Sequence, residues 1–158
     1  MDLLYLNAPD PKTPVAESAA ALRKLMEEGK TRSVGASNLT VTQLEEFASV
    51  CPLAAFQPPF NMLQRQVESD TLPWCRRHGV AVLVYWPLMK GLLAGKLRRD
   101  ETFVNDSRRK YPMFQGEEYH RNLDLVDALR AIAAMSGHTV AQVVVNWTIH
   151  QPCITAAL

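Results

Sequence analysis

Short apolar runs alternate along the chain with longer segments in which apolar residues recur at helical spacing. The apolar runs at residues 3–6, 33–36, 53–57, 80–84 and 153–158 predict five β-strands. The run at 80–84 is apolar throughout, as is typical of a strand buried on both faces of a parallel sheet. Strands that alternate with helices predict an α/β protein, either a doubly wound open sheet or part of a (β/α) barrel.

Helix signals lie between these strands. Thr13 and Pro14 predict the start of a first helix, with the proline at its first helical position, and Gly29 predicts its end. A second helix is expected to begin at the capping-box spacing of residues 40–43 and to turn Val41, Leu44 and Ala48 inward. Further helices are predicted from about 67 to 78, from about 125 to 136 after a long polar segment at 88–116, and from a second capping box at 139–142.

The two ends of the chain and the number of strand and helix units favour part of a barrel. Five such units are a little over half of an eight-stranded barrel, which needs about 250 residues, whereas this chain has 158. The chain begins almost within one strand signal and ends within another, at residues 155–158. The expectation is a single partial domain over residues 1–158, incomplete at both ends, whose open strand edges favour self-association.

Composition and charge exclude several classes of partner. The formal net charge is +1, so no general attraction to nucleic acid or to an anionic membrane surface is expected. The longest apolar run, at residues 80–86, is too short to span a bilayer. Asp2 lies where a signal peptide would carry basic residues, which favours a cytoplasmic protein.

Cysteine and histidine positions give no sign of a metal site. Cys51, Cys75 and Cys153 are far apart and match no zinc spacing, and the four histidines show no ligand pairing. Reduced thiols in the core or at its margin are the expectation for all three cysteines.

Polar residues at predicted strand ends are the candidate binding groups. Ser37 and Asn38 follow the second strand, and ligands of parallel α/β proteins bind at the carboxyl ends of strands. Ser37 and Asn38 can equally be turn formers. Gln57 and Tyr85, at the ends of the third and fourth predicted strands, can equally be a partner for loop backbone and a core aromatic residue. The basic residues between 98 and 110 are interpreted as a solvated loop.

Four segments carry a resemblance to a known family. Residues 2–11, 28–38, 57–61 and 85–96 resemble, in that order, the fourth to seventh strand regions of the aldo-keto reductases. The resemblance covers the whole chain. It implies part of a (β/α)8 TIM barrel, and hydride transfer between a nicotinamide cofactor, usually NADP(H) with NAD possible, and a small carbonyl or alcohol substrate.

The resemblance also implies roles for particular residues. Ser37, Asn38 and Gln57 match positions that hydrogen-bond the nicotinamide carboxamide, which needs both donors and acceptors. Tyr85 matches the aromatic residue that stacks on the nicotinamide ring.

Further matches lie in the loop after the fourth predicted strand. Leu88, Lys90 and Gly91 match the loop that passes the pyrophosphate, where glycine permits close backbone approach and lysine adds positive charge.

Departures from the family concern the catalytic residues. Catalytic members use Asp, Tyr, Lys and His; the first three precede the fourth strand and have no counterparts in this chain. Asn7 stands at the histidine position. An asparagine there can orient a substrate but does not titrate near neutral pH.

Three functions therefore remain open. The first is a partial NAD(P)H-dependent oxidoreductase that is inactive as an isolated chain. The second is a non-catalytic cofactor-binding or regulatory protein, as the potassium-channel beta subunits and the regulatory subunit of glutamate–cysteine ligase are within the family. The third, an unrelated doubly wound binder, would require a glycine-rich loop after the first strand, and residues 8–11 contain no glycine.

Overall fold

The computed structural model describes residues 1–158 and contains one sheet of five parallel strands in the order β1-β2-β3-β4-β5. The strands are β1 (Leu3–Leu6), β2 (Ser33–Ser37), β3 (Ala55–Gln57), β4 (Ala81–Val84) and β5 (Ala156–Ala157). The helices are α1 (Val15–Glu27), α2 (Val41–Val50), α3 (Thr71–His78), α4 (Gly116–Ser136) and α5 (Val140–Ile149).

The strand order decides between the two architectures. A doubly wound sheet reverses its strand order and carries helices on both faces, whereas here each strand lies beside the next one in sequence. Residues of α1, α2 and α3 pack with one face of β2, β3 and β4 in a single core that includes Phe47, Phe56 and Trp74. Successive strands are therefore added along one direction of the sheet, as in part of a (β/α)8 barrel.

Both predicted capping boxes are present. Thr40 Oγ1 accepts from the Gln43 backbone N–H at 3.3 Å, and Gln43 Oε1 accepts from the Thr40 N–H at 2.9 Å. Thr139 and Gln142 repeat the arrangement at 3.2 and 2.8 Å. Because each pair satisfies two backbone donors that a helix start leaves free, local sequence alone determines where α2 and α5 begin.

Details of α1 and α2 differ from the prediction, and α3 begins at Thr71 and not at about residue 67. Pro14 is the N-cap of α1 and not its first helical residue, and the Thr13 hydroxyl donates to the Asp10 carboxylate instead of capping the helix. In α2 the apolar residue that follows Leu44 on the core side is Phe47, which is fully buried, whereas Ala48 is exposed. The larger side chain occupies the inner position because it removes more apolar surface from water.

The predicted fifth strand is shorter than its apolar run. Only Ala156 and Ala157 form β5, although the Thr155 N–H donates to the Val82 carbonyl and the Leu158 N–H donates to the Val84 carbonyl. β1 pairs with β2 alone and β5 with β4 alone, so each has one free edge.

The polar segment after β4 forms a second core with α4 and α5. It contains the short 3-10 helices Met89–Ala94, Ser107–Lys110 and Pro112–Phe114. Phe103, Phe114 and Tyr119 pack edge-to-face or stacked, with ring centroids 5.3 to 6.4 Å apart.

Arg99, in the basic segment, pairs with Asp124 and Asp127 of α4. Since α4 begins at Gly116, the helix starts about two turns before its predicted apolar stripe.

No single helix combines the length and the apolar composition needed to cross a membrane. α4 and α5 meet these criteria only when taken together, and the two are bent by 94° relative to each other.

Candidate functional site

The polar residues singled out in the sequence meet at the carboxyl ends of four neighbouring strands. Asn7 follows β1, Ser37 ends β2 and Asn38 follows it, Gln57 ends β3, and Tyr85 follows β4. Ser37 and Gln57 are direct register partners. We refer to these five residues as the strand-end cluster.

Four hydrogen bonds connect the strand-end cluster. Ser37 Oγ donates to the Gln57 carbonyl oxygen at 2.6 Å. Asn38 Nδ2 donates to the Asn7 carbonyl oxygen at 2.9 Å and to Ser37 Oγ at 3.0 Å. Tyr85 Oη donates to Asn38 Oδ1 at 2.8 Å. The ends of β1 to β4 are thus held together by side chains as well as by the sheet.

Asn38 is the centre of this arrangement. Its φ of 59° lies in the left-handed region, which asparagine tolerates better than most residues. Both protons of its Nδ2 are engaged, so its remaining hydrogen-bonding capacity is the second lone pair of Oδ1. Asn38 is exposed, and that acceptor is therefore available to a ligand.

Two side-chain amides of the cluster make no hydrogen bond within the protein. Gln57 takes part through its carbonyl oxygen alone, and so does Asn7. The Asn7 side chain is exposed and that of Gln57 is half-buried. Each free amide offers two donors and one acceptor at the carboxyl edge of the sheet.

Two backbone hydrogen bonds fix the position of Tyr85. Its N–H donates to the Pro58 carbonyl, and its own carbonyl accepts from the Phe60 N–H. Its ring meets the ring of Trp86 edge-on at 5.2 Å. Burial, and then the neighbouring Tyr111, raise the pKa of Tyr85 above its usual value, so its hydroxyl stays protonated near neutral pH and remains a donor to Asn38.

The loop with Leu88, Lys90 and Gly91 follows Tyr85 directly. Met89, Lys90 and Gly91 have φ values of 42°, 50° and 92°, a left-handed run. Lys90 Nζ lies 4.4 Å from the centroid of the Trp86 ring and 5.0 Å from that of Tyr111. The Leu88 carbonyl accepts from the Gly91 N–H, which closes the turn.

Asn61 positions the site, although sequence reasoning assigned it no role. It is fully buried, and its Nδ2 donates to Gln64 Oε1 at 3.0 Å and to the Trp86 carbonyl at 3.1 Å. Its Oδ1 accepts from the N–H groups of Leu63 and Gln64. Asn61 therefore joins the loop after β3 to the loop after β4. The sequence signal for this role is the position of Asn61 shortly after Pro58 and Pro59, because asparagine often hydrogen-bonds the backbone of turns.

The chemistry open to the strand-end cluster is hydrogen bonding and stacking. Its side chains are three amides, an alcohol and a phenol held protonated, so it carries no charge near neutral pH. No group of three His, Cys, Asp or Glu side chains is placed to hold a metal ion. The arrangement suits a planar, uncharged ligand with both donors and acceptors.

The largest surface groove lies elsewhere. It has a volume of about 730 Å³ and lies between α4 and α5, where Ile132, Val145 and Ile149 contribute apolar side chains.

Comparisons with known proteins place the chain in a family. The family model described as the aldo/keto reductase family matches residues 1–158. An aldo-keto reductase of Bacillus subtilis is 34% identical over an alignment of 160 positions, which covers 100% of this chain and 48% of that protein.

Solved structures give the same result. A glycerol dehydrogenase of Gluconobacter oxydans superposes with a TM-score of 0.93 and 39% identity, over 99% of this chain and 48% of that one. An aldo/keto reductase of Klebsiella pneumoniae in complex with NADP and acetate gives a TM-score of 0.71 and 27% identity, over 100% of this chain and 48% of that one. This chain thus spans about half the length of the relatives it matches.

Proposed function

This chain belongs to the aldo/keto reductase family, and we propose that it carries the nicotinamide-binding side of an NADP-dependent oxidoreductase that acts on a small carbonyl or alcohol. The observation that carries the proposal is the strand-end cluster, in which four neighbouring strands present uncharged donors and acceptors at one edge. NADP is the favoured cofactor, with NAD possible, because a relative of the same fold binds NADP.

The free groups of the cluster fit a carboxamide. Such a group offers N–H donors and a carbonyl acceptor side by side. Asn38 Oδ1 has a free lone pair for a carboxamide N–H, and the unengaged Gln57 amide can donate to the carboxamide oxygen. Ser37, which bonds both Asn38 and Gln57, fixes the spacing of these two groups.

Tyr85 and the loop after it suit the remainder of the cofactor. The Tyr85 ring supplies a flat surface for the nicotinamide ring, which selects the face that transfers hydride. Leu88, Lys90 and Gly91 form the loop beyond it, and Lys90 is the cation available to the pyrophosphate. When bound, the cofactor supplies the hydride chemistry.

Asn7 limits what this chain can do by itself. Its free side-chain amide can orient a substrate oxygen, but it cannot supply a proton near neutral pH. The chain contains no residues that match the family's Asp, Tyr and Lys. We therefore propose that the isolated chain does not turn over substrate and that catalysis requires the rest of a barrel.

The test uses this chain and the longest reading frame that contains it. NADPH is titrated against the tryptophan fluorescence of each protein, because Trp86 lies beside Tyr85. NADPH oxidation is then followed with a panel of aldehydes. Saturable quenching by both proteins, with oxidation by the longer one alone, supports the proposal. A longer protein that folds and binds no NADPH contradicts it.

A second function, non-catalytic cofactor binding, is favoured by one observation: Asn7 at the histidine position. It predicts that the longer protein binds NADPH without oxidising it, and that Asn7→His does not create activity. Oxidation of NADPH by the unchanged longer protein would exclude it.

Replacing Tyr85 with alanine is expected to raise the dissociation constant of NADPH about tenfold, because the stacking surface is lost. Tyr85→Phe keeps the ring and loses the hydroxyl that donates to Asn38, so a change of about twofold is expected. Fluorescence titration of both variants measures the difference. Equal losses in the two variants would show that the hydroxyl, not the ring, supports binding.

We also propose that the free edges of β1 and β5 make the isolated chain self-associate, since an uncovered strand edge offers unpaired N–H and C=O groups to another chain. Sedimentation velocity should show species larger than a monomer. A single monomeric species with a cooperative thermal transition would contradict this expectation.

A further inference from the structure

A groove of about 530 Å³ lies between α3 and the segment that joins α5 to β5. No residue of the strand-end cluster lines it. Leu72, Pro73 and Pro152 give it apolar surface, and Arg65, Arg76 and Arg77 give it positive charge. It is thus separate from the nicotinamide side of the molecule in residues and in chemistry.

Two of the three arginines have no acidic partner. Arg65 forms an ion pair with Glu68 at 2.9 Å, and its guanidinium lies 5.4 Å from the centroid of the Trp147 ring. Arg76 and Arg77 take part in no ion pair, and both are exposed. Since Glu68 is the one carboxylate in the lining, the groove carries a net positive charge that suits an anionic ligand.

A thiol lies in the same groove. Cys153 is half-buried and lines it, whereas Cys51 and Cys75 are fully buried. Cys75 belongs to the core against which Cys153 packs. Burial, and then the nearby Cys153, raise the pKa of Cys75 to about 12, so Cys75 stays a protonated thiol. Cys153 is therefore the cysteine that a solute can reach, and it shares this groove with Arg76 and Arg77.

We propose that this groove binds a carboxylate-bearing, low-molecular-weight disulfide and that Cys153 undergoes thiol–disulfide exchange with it. Arg76 and Arg77 pair with the carboxylates of the ligand, while Arg65 stays with Glu68. Cys153 gives its proton to solvent, and its sulfur attacks one sulfur of the disulfide. A new S–S bond forms to Cys153, the original S–S bond breaks, and the other half of the ligand leaves as a thiolate that takes up a proton. Cys153 is oxidised and the departing half is reduced, so electrons balance.

Three disulfides of different charge test the proposal. The protein is incubated at low ionic strength with oxidised glutathione, which carries carboxylates, with hydroxyethyl disulfide, which is uncharged, or with cystamine, which is cationic. Peptide mass spectrometry then measures the initial rate at each cysteine. Cys153 is expected to be the principal site, and glutathione disulfide to react faster there than the other two, by about tenfold at low salt.

Variants separate the groove from general charge effects. Replacing both Arg76 and Arg77 with glutamine should lower the rate ratio of glutathione disulfide to hydroxyethyl disulfide roughly fivefold, and replacing both with lysine should retain most of it. The matched control replaces Lys96 and Arg121, which are exposed, unpaired and outside the groove, with glutamine; it should leave the ratio unchanged. Cys153→Ser should abolish the reaction.

Clear outcomes would overturn the proposal. These are a ratio that the arginine variants leave unchanged, a fastest reaction with cystamine, or modification of Cys51 and Cys75 at the rate of Cys153. None of these readouts involves NADPH. A failure here and a failure of the proposed oxidoreductase function are therefore distinguishable.

Discussion

Gly35→Ala is expected to lower the free energy of unfolding by about 2 to 3 kcal/mol, because an added methyl group on β2 has no space beside the ring of Tyr5 on β1. A Cβ at this position would lie 2.5 Å from Tyr5 Cε1 and 2.8 Å from Tyr5 Cδ1 and Cζ. Gly35 and Tyr5 are register partners on neighbouring strands, so the ring lies directly over the glycine. The backbone of Gly35 is outside the left-handed region, so the loss comes from the clash alone.

The ring of Tyr5 must be displaced for the added methyl group to fit. Its hydroxyl oxygen is buried and has no hydrogen-bond partner, and burial raises the pKa of Tyr5. Gly35 also lies two residues before Ser37 on the same face of the strand, so a displaced ring would disturb the strand-end cluster.

A double-mutant cycle checks the cause. Urea unfolding is measured in the longest reading frame that contains this chain, for the unchanged protein, Gly35→Ala, Tyr5→Ala and the double variant. In the Tyr5→Ala background, Gly35→Ala should cost less than about 0.5 kcal/mol, since the ring atoms that the added methyl group meets are gone. Equal losses in both backgrounds would show that the glycine is required for another reason.

Asn38→Ala is expected to raise the dissociation constant of NADPH about 30-fold and to lower the free energy of unfolding by about 2 kcal/mol. The affinity is expected to fall because the variant removes the acceptor that we propose for the carboxamide, and with it the partner of Tyr85. The stability falls because two donors to Asn7 and Ser37 are lost and alanine is strained at a φ of 59°.

Asn38→Gly is the matched control, because glycine adopts the left-handed region freely. It should lose as much NADPH affinity as Asn38→Ala and retain about 1 kcal/mol more stability. Fluorescence titration and urea unfolding of the two variants, made in the longest reading frame that contains this chain, measure both quantities. If glycine restored NADPH affinity, the role of Asn38 would be its backbone conformation and not its side chain.

Much of the fold could be predicted because its signals are local. The capping boxes at Thr40 and Thr139 need only four consecutive residues, and both occur where expected. For four of the five strands, the first and last residues each lie within two residues of the ends of the predicted apolar run. β5 is the exception, because an apolar run does not by itself show how many residues find a partner along β4.

The location of the site could also be predicted, but not its internal bonding. Parallel strands bring their carboxyl ends to one edge, which is why Ser37, Gln57 and Tyr85 meet. The orientation of the Asn38 amide depends on contacts 31 and 47 residues away in sequence, to Asn7 and Tyr85. No local pattern encodes such contacts, and the same holds for the buried amide of Asn61, whose partner Trp86 is 25 residues away.

The sequential strand order has a consequence for synthesis. Because each strand pairs with the one made just before it, the bond from Asn38 to Asn7 can form while Tyr85 is still untranslated, and Tyr85 then adds to a nearly finished site. β5 differs, since Thr155 bonds Val82 across 73 residues of chain. As the chain emerges from the ribosome, the edge with the strand-end cluster is thus completed before the segment with Cys153 brings β5 to β4.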